Sequence, residues 1–260
     1  TILFHGWEIK MQESIQNNNW FRVLFADSLN SASKIYVLAS NFKRCLVSWG
    51  IDDNKVSLTT TMFSKTDVNS VTFQEKKDYI MFCGVMKKTK GSQYLLDSVP
   101  YVIKHKPNTR FIFVGGGTGL NELKRIVHKQ NLQKYVLFTG FISNEEKHRI
   151  MRLSKIFVLP SEHGEGLPTV VVESLAHGLY ILSTKVGGLV DILEEGLNGS
   201  FIGNRPISPA QISKKILEAF TNLKTLKEIS LNNLSYSHIF SSEEVVKYFE
   251  KDFNTVLNSR

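Results

Sequence analysis

The sequence predicts an α/β protein built on doubly wound parallel sheets, and three features carry that expectation. From residue 79 onward short apolar runs alternate with stretches of helical period, the pattern of successive βα units. Runs such as Phe111-Ile112-Phe113-Val114 have no polar face, as a parallel strand covered on both sides requires. The composition is that of a folded chain, 260 residues with 42% hydrophobic and 22% charged side chains, which excludes a disordered protein, a collagen or a membrane bundle. That length accommodates one large domain or two modest ones.

Taken in order, residues 2–4 read as a strand already under way at the first residue. The expectation is therefore a chain opening inside a Rossmann-like unit, spanning residues 1–75, whose first part is absent. A polar helical stretch follows at 8–16, a helix at 20–30, a buried strand at 34–39 and a helix at 41–49. Gly50 closes that helix, because a left-handed C-cap suits glycine. A strand at 56–61 leads to the polar stretch 64–74, the candidate linker. The second unit, residues 76–240, has predicted strands at 79–83, 111–114, 135–139, 156–159 and 180–183. Helical stretches follow them at 91–105, 120–130, 144–154, 168–177 and 188–194. Ser143 with Glu146 three residues on is a capping box, and Pro100 should kink its helix. Residues 208–222, 225–236 and 241–258 are helical.

The net charge is +8, but its distribution says more: residues 1–75 are neutral overall, 76–155 carry +11 and 156–260 carry −3. Lys87, Lys88, Lys90, Arg110, Lys147 and Arg149 are spaced out rather than packed into a tract. Most such residues read as solvated helical surface, with a few left to face an anionic ligand. Cys45 and Cys83 stand outside any CxxC or Cys/His spacing, so neither a disulfide framework nor a zinc site is expected and a reducing, cytoplasmic setting fits. The basic segment lacks interleaved aromatics or a recognition motif, so no nucleic-acid partner is expected.

Doubly wound sheets bind ligands at the carboxyl ends of their strands, and four loops there stand out. They are Gly84 to Gly91, which is glycine-bounded and basic; Gly115-Gly116-Gly117-Thr118-Gly119; Gly140-Phe141-Ile142; and Pro160 to Thr169, which enters a helix carrying Glu173. In the fourth, Gly166, Leu167, Pro168 and Thr169 lead into a helix N terminus whose free N–H groups suit a phosphate. Glu173 lies about two turns beyond Glu165 and can face the same crevice. Two carboxylates there would repel a diphosphate unless they accept from sugar hydroxyls while a cation such as Lys90 balances the phosphates. For an isolated pair, ordinary surface acids are the simpler reading. GxGxxG fails because Leu120 stands at its third glycine, and GxxxxGK[ST], HExxH, GxSxG and DxD do not occur. Ser161 with His163 is too weak a pair for a nucleophile and base.

Together these loops resemble the C-terminal half of a retaining GT-B glycosyltransferase of family 4, the group 1 type. The resemblance runs through Gly84…Lys90-Gly91, Val114-Gly115-Gly116, Thr139-Gly140-Phe141-Ile142, Leu159-Pro160-Ser161, Glu165-Gly166-Leu167-Pro168-Thr169…Glu173, Ala176-His177-Gly178, Val186-Gly187-Gly188 and Gly196-Leu197-Asn198-Gly199. Glu165 and Glu173 match the family's E-x7-E motif, which overturns the surface-acid reading. More weakly, residues 1–65 resemble the second half of its N-terminal domain, with His5 at the histidine facing the donor sugar.

The resemblance implies two Rossmann-like domains, the N-terminal one incomplete, with residues 241–260 forming a helix that packs back toward it. It implies transfer of a sugar from a nucleotide-diphosphate sugar to a hydroxyl acceptor, a saccharide or lipid-linked saccharide, with retention of configuration and without metal or cofactor. Glu173 would bind the ribose hydroxyls, Glu165 hydroxyls of the transferred sugar, and backbone at Gly166 to Thr169 the diphosphate or sugar. Lys90 would neutralise the leaving diphosphate, the Ile142 backbone would meet the base, and Gly84, Gly115 and Gly116 would line the donor. His5 would hydrogen-bond the sugar near the reaction centre. Val85 stands where the family has Arg, so one diphosphate cation is missing unless Lys87 or Lys88 substitutes. Tyr180 replaces a common Pro, and the usual Asn-Gly is absent around Thr59 to Met62. A nucleotide-sugar-binding module of weak catalysis is the alternative. Peripheral contact of the +11 segment with anionic headgroups at the inner membrane face is a further expectation.

Overall fold

The computed structural model describes residues 1–5, 9–68, 71–162, 166–203 and 205–258. Two parallel sheets organise them. The first has three strands, β1 (Ile2–Phe4), β2 (Ile35–Val37) and β3 (Val56–Leu58), in that order. Between them lie helices α1 (Ile9–Asn17), α2 (Asn19–Asn30) and α3 (Ser40–Ser48). Ile35, Tyr36 and Val37 are fully buried, as expected of a central strand with β-branched and aromatic side chains on both faces. Ile15, Leu29, Phe42, Leu46, Trp49 and Val56 close a core around them. Gly50 takes the left-handed conformation (φ 96°) just past α3.

The second sheet has six strands: β4 (Tyr79–Cys83), β5 (Arg110–Val114), β6 (Val136–Gly140), β7 (Ile156–Leu159), β8 (Tyr180–Ser183) and β9 (Gly199–Phe201). Their order is β6-β5-β4-β7-β8-β9, with every pair parallel. That is the 3-2-1-4-5-6 order of a doubly wound nucleotide-binding sheet, which reverses direction between β4 and β7. Helices α4 (Ser92–His105), α5 (Leu120–Lys129), α6 (Asn144–Leu153) and α7 (Thr169–Ala176) join successive strands. A single turn, α8 (Leu189–Ile192), follows β8. Phe82, Phe111, Phe113 and Phe157 are fully buried in this sheet, and burying each contributes about 2–3 kcal/mol. α4 runs through Pro100 to His105 as one helix, so the expected kink does not interrupt it. The sixth strand, β9, was not among the expected elements. It is a three-residue edge in which a side chain on Gly199 would collide with the Ile181 backbone.

The tail forms α9 (Pro209–Thr221), α10 (Leu223–Tyr236) and α11 (Ser242–Asn258). α11 lies on the first sheet: Tyr36 donates to Asp252 at 2.5 Å and packs edge-on against Phe249, with ring centroids 4.9 Å apart. Between the sheets lie two 3-10 turns, Lys65–Asp67 and Phe73–Glu75. Lys76 anchors the chain just after them: its ammonium donates to the carbonyls of Arg152, Ser154 and His177 at 2.9–3.0 Å. Burial, with repulsion from Lys155 added, pulls this lysine down to about 7.

Candidate functional site

The β4/β7 reversal opens a crevice at the carboxyl end of the second sheet, and the loops after those strands form its walls. Backbone bonds join the loops. Glu162 N–H donates to the Thr89 carbonyl at 2.9 Å, and the Ser161 hydroxyl donates to the same oxygen at 3.2 Å. Gly91, at φ 73°, lies against the Pro160 backbone, where no side chain fits. On the other side Met86 N–H donates to Gly116 O at 2.7 Å, Gly119 N–H to Met86 O at 2.8 Å, and Gly115 N–H to Gly140 O at 2.9 Å. Gly84 and Gly115 also have positive φ, 156° and 114°. The glycines thus let three loops approach as one surface, in which Gly91, Gly115 and Gly116 are themselves buried.

Within this surface Lys90 ends the 3-10 turn Lys88–Lys90 and is half-buried. Ile142 is half-buried, and Phe141 beside it is 83% exposed with its ring over Gly116. Gly166 and Leu167 are buried, Pro168 is half-buried and caps α7, and Thr169 is the exposed first residue of that helix, which has no side-chain cap. Glu165 lies outside the described residues. Glu173, on α7, is 9% exposed and is therefore a buried carboxylate rather than a surface acid.

That carboxylate has a partner that the sequence reading placed on the solvated surface. Lys147 of α6 reaches Glu173 Oε1 at 2.8 Å, and the two side chains are only 17% and 11% exposed. The signal was present in the helix period: Lys147 shares a face with Ile150 and Met151, three and four residues on, and Met151 is fully buried. Cys83, at the end of β4, lies within reach of both charges, and burial pushes its thiol up to about 11.

Behind this pair His148 Nδ1 and His177 Nε2 meet at 2.8 Å, both rings buried. His148 Nε2 stands 4.0 Å from the Asp67 carboxylate, and His177 Nδ1 has no hydrogen-bond partner. The tautomers that leave fewest donors unpaired have His177 Nε2–H donating to His148, whose Nε2–H faces Asp67. Burial, reinforced by His148 and nearby cations, pulls His177 down to about 3. Burial also lowers His148, against the pull of Glu173.

The two sheets meet at the crevice. The end of β1 lies against the fourth loop: a side chain on Gly166 would overlap the His5 carbonyl oxygen and stand 3.2 Å from Leu38 Cβ. Thus His5, whose side chain is exposed, and Gly166 come from opposite units to one place. Gly188 N–H supports the loop from below by donating to Gly166 O at 2.8 Å. Asp191 of α8 caps α3 across the junction, accepting from Ser40 N–H at 2.7 Å and its hydroxyl at 2.5 Å. A separate apolar cavity of about 330 Å³ at the junction is lined by Leu38, Leu58, Leu167, Phe240 and Tyr248. Its walls do not suit a diphosphate. Among the described residues no cluster of three or more His, Cys, Asp or Glu could hold a metal, and no helix is long and apolar enough to cross a membrane.

Residues 63–234 match the family described as glycosyl transferases group 1. Spore coat protein SA of Bacillus subtilis is 32% identical over 54% of this chain and 38% of its own length. An uncharacterized glycosyltransferase of Methanocaldococcus jannaschii is 26% identical over 89% of this chain and 62% of its own. The chain thus spans less than two thirds of either relative. Among solved structures, Anabaena HepE in complex with UDP superposes with a TM-score of 0.83 at 16% identity, over 98% of this chain and 72% of that one. Sucrose-phosphate synthase from Thermosynechococcus elongatus does so with 0.79 at 18% identity, over 100% and 68%. The chain belongs to the glycosyl transferases group 1 family, and its two parallel-sheet units have the GT-B fold.

Proposed function

We propose that the chain forms the donor side of a glycosyltransferase that moves a sugar from a nucleotide-diphosphate sugar to a hydroxyl acceptor with retention of configuration. The observation that carries this reading is the buried Glu173 carboxylate at a switch-point crevice whose walls are joined, glycine-rich loops and where α7 begins without a side-chain cap. A carboxylate suits vicinal ribose hydroxyls, and an uncapped helix start suits a diphosphate. UDP bound to Anabaena HepE, a neighbour of the same fold, supports the same ligand class. In this scheme Glu173 holds the ribose, and Glu165 holds hydroxyls of the transferred sugar. Gly84, Gly115, Gly116, Gly166, Leu167, Pro168 and Thr169 line the diphosphate and sugar, and the Ile142 backbone meets the base. As the glycosidic bond breaks, negative charge grows on the leaving diphosphate, and the Lys90 ammonium offsets it. His5, brought against Gly166 by the junction, hydrogen-bonds the donor sugar.

The acceptor is a saccharide or lipid-linked saccharide, and the +11 segment supplies peripheral contact with anionic headgroups. An open groove lined by Arg110, Lys134 and Arg149 beside β6 supports that contact. Lys90→Ala and Glu165→Gln should each lower turnover by about a hundredfold; near-wild-type rates in both would overturn the assignment. Val85, which is 48% exposed where the family has Arg, favours a second reading, a nucleotide-sugar-binding module of weak catalysis. Donor binding without transfer or hydrolysis would establish that reading.

A further inference from the structure

The Lys147–Glu173 pair changes how this crevice can read a ribose. A lone carboxylate binds a vicinal diol by accepting from both hydroxyls, one on each oxygen. Here Oε1 already accepts from the Lys147 ammonium at 2.8 Å, in a setting where neither side chain is more than 17% exposed. The ammonium has further N–H donors and no acceptor. A diol entering beside the pair therefore meets an unengaged acceptor, Glu173 Oε2, an Oε1 already engaged once, and a donor, Lys147 Nζ.

We propose that Lys147 is a donor-binding residue that, with Glu173, reads the two ribose hydroxyls of a nucleoside diphosphate differently, one hydroxyl donating to Glu173 and the other accepting from Lys147. This rests on the nucleotide-sugar reading of the crevice. It has consequences that simple charge balance lacks. The pair is net neutral, so the diphosphate entering next to Glu173 meets no uncompensated negative charge from it. Each hydroxyl makes one hydrogen bond to a charged, poorly hydrated group, so deleting either should cost about tenfold or more in affinity. The Lys147 side chain also reaches the site from α6, directly after the loop whose Ile142 is assigned to the base. Base and ribose contacts therefore belong to one βα segment.

The test is calorimetric titration of the chain with UDP, 2′-deoxy-UDP and 3′-deoxy-UDP, using the unmodified protein, Lys147→Met, Lys147→Arg and Glu173→Gln. The unmodified chain should prefer UDP to each deoxy analogue by about tenfold or more. Lys147→Met should erase the preference against one analogue and keep it against the other, whereas Lys147→Arg, which keeps the charge and donors, should restore it. A Lys147→Met protein that weakens all three ligands equally, or none, would overturn the proposal and leave Lys147 as a neutralising partner only. Discrimination lost in Glu173→Gln but intact in Lys147→Met would likewise remove Lys147 while keeping the nucleotide reading. The unmodified chain is titrated with GDP and ADP as well, and failure to bind any of UDP, GDP or ADP would remove both. Unfolding curves of each variant in parallel show whether a lost preference comes from a lost fold.

Discussion

Acidification should weaken the fold through the His148–His177 pair, and the size of the effect follows from its burial. His177 is 2% exposed and is held near 3, against an ordinary 6.5. Burial is what opposes the charge: an imidazolium N–H could still donate across the 2.8 Å contact to a neutral partner ring, and only charging both rings would put two protons between the facing nitrogens. Between those two values the unfolded chain binds the proton that the folded chain refuses. Stability attributable to His177 is therefore intact above about pH 6.5 and falls as pH drops toward 3. At about 1.4 kcal/mol per pH unit, moving from pH 7.5 to 5.0 costs at most about 2 kcal/mol. His148 shifts the same way and adds to the slope. Urea unfolding at both pH values measures the loss. His177→Gln, whose amide can still bond His148, should flatten the dependence to less than half while folding normally at pH 7.5. Equal losses in variant and wild type would refute the argument. Because His177 ends α7 and His148 follows Lys147, the same titration should loosen the Glu173 region before the whole chain unfolds.

Three further outcomes follow from the contacts. Gly166→Ala places a methyl group inside the His5 carbonyl contact, so β1 and the fourth loop must part by about 1 Å, and transfer should fall about a hundredfold while the fold survives; kinetics beside unfolding curves measure both. Asp191→Ala removes the cap that α8 lends to α3 and should cost about 1 kcal/mol by chemical denaturation. Lys76→Met leaves two buried carbonyls and one half-buried carbonyl without this donor and should cost about 3 kcal/mol, a loss seen in thermal and denaturant unfolding alike.

Much of this architecture was legible because the strands of a doubly covered parallel sheet cannot hide. Phe111 to Val114 and Ile156 to Leu159 are apolar without a break, and Ser143 with Glu146 closes its capping box as written. β9 escaped because Gly199-Ser200-Phe201 has no strand pattern of its own and sits at the sheet edge, where β8 is the one strand that pairs with it. The crevice was legible in its glycines, since tight loop contacts leave no substitute for them. Its charges were harder to read. A lysine on a helix is usually solvated, so Lys147 was visible only from the company it keeps on the inner face of α6. Lys76 gave less warning still, because its three acceptors come from segments about 76 to 101 residues away in the chain. His148 and His177 are 29 residues apart and meet only once α6 and α7 pack.

The central claim is that the β4/β7 crevice binds a nucleotide-diphosphate sugar through Glu173. The most direct test is a calorimetric titration of this chain, and of its Glu173→Gln variant, with a panel of UDP-, GDP- and ADP-sugars. One saturable site for at least one donor, weakened about tenfold or more in the variant, is the predicted result. A chain that binds none of them, or a variant that binds as tightly as wild type, would contradict it.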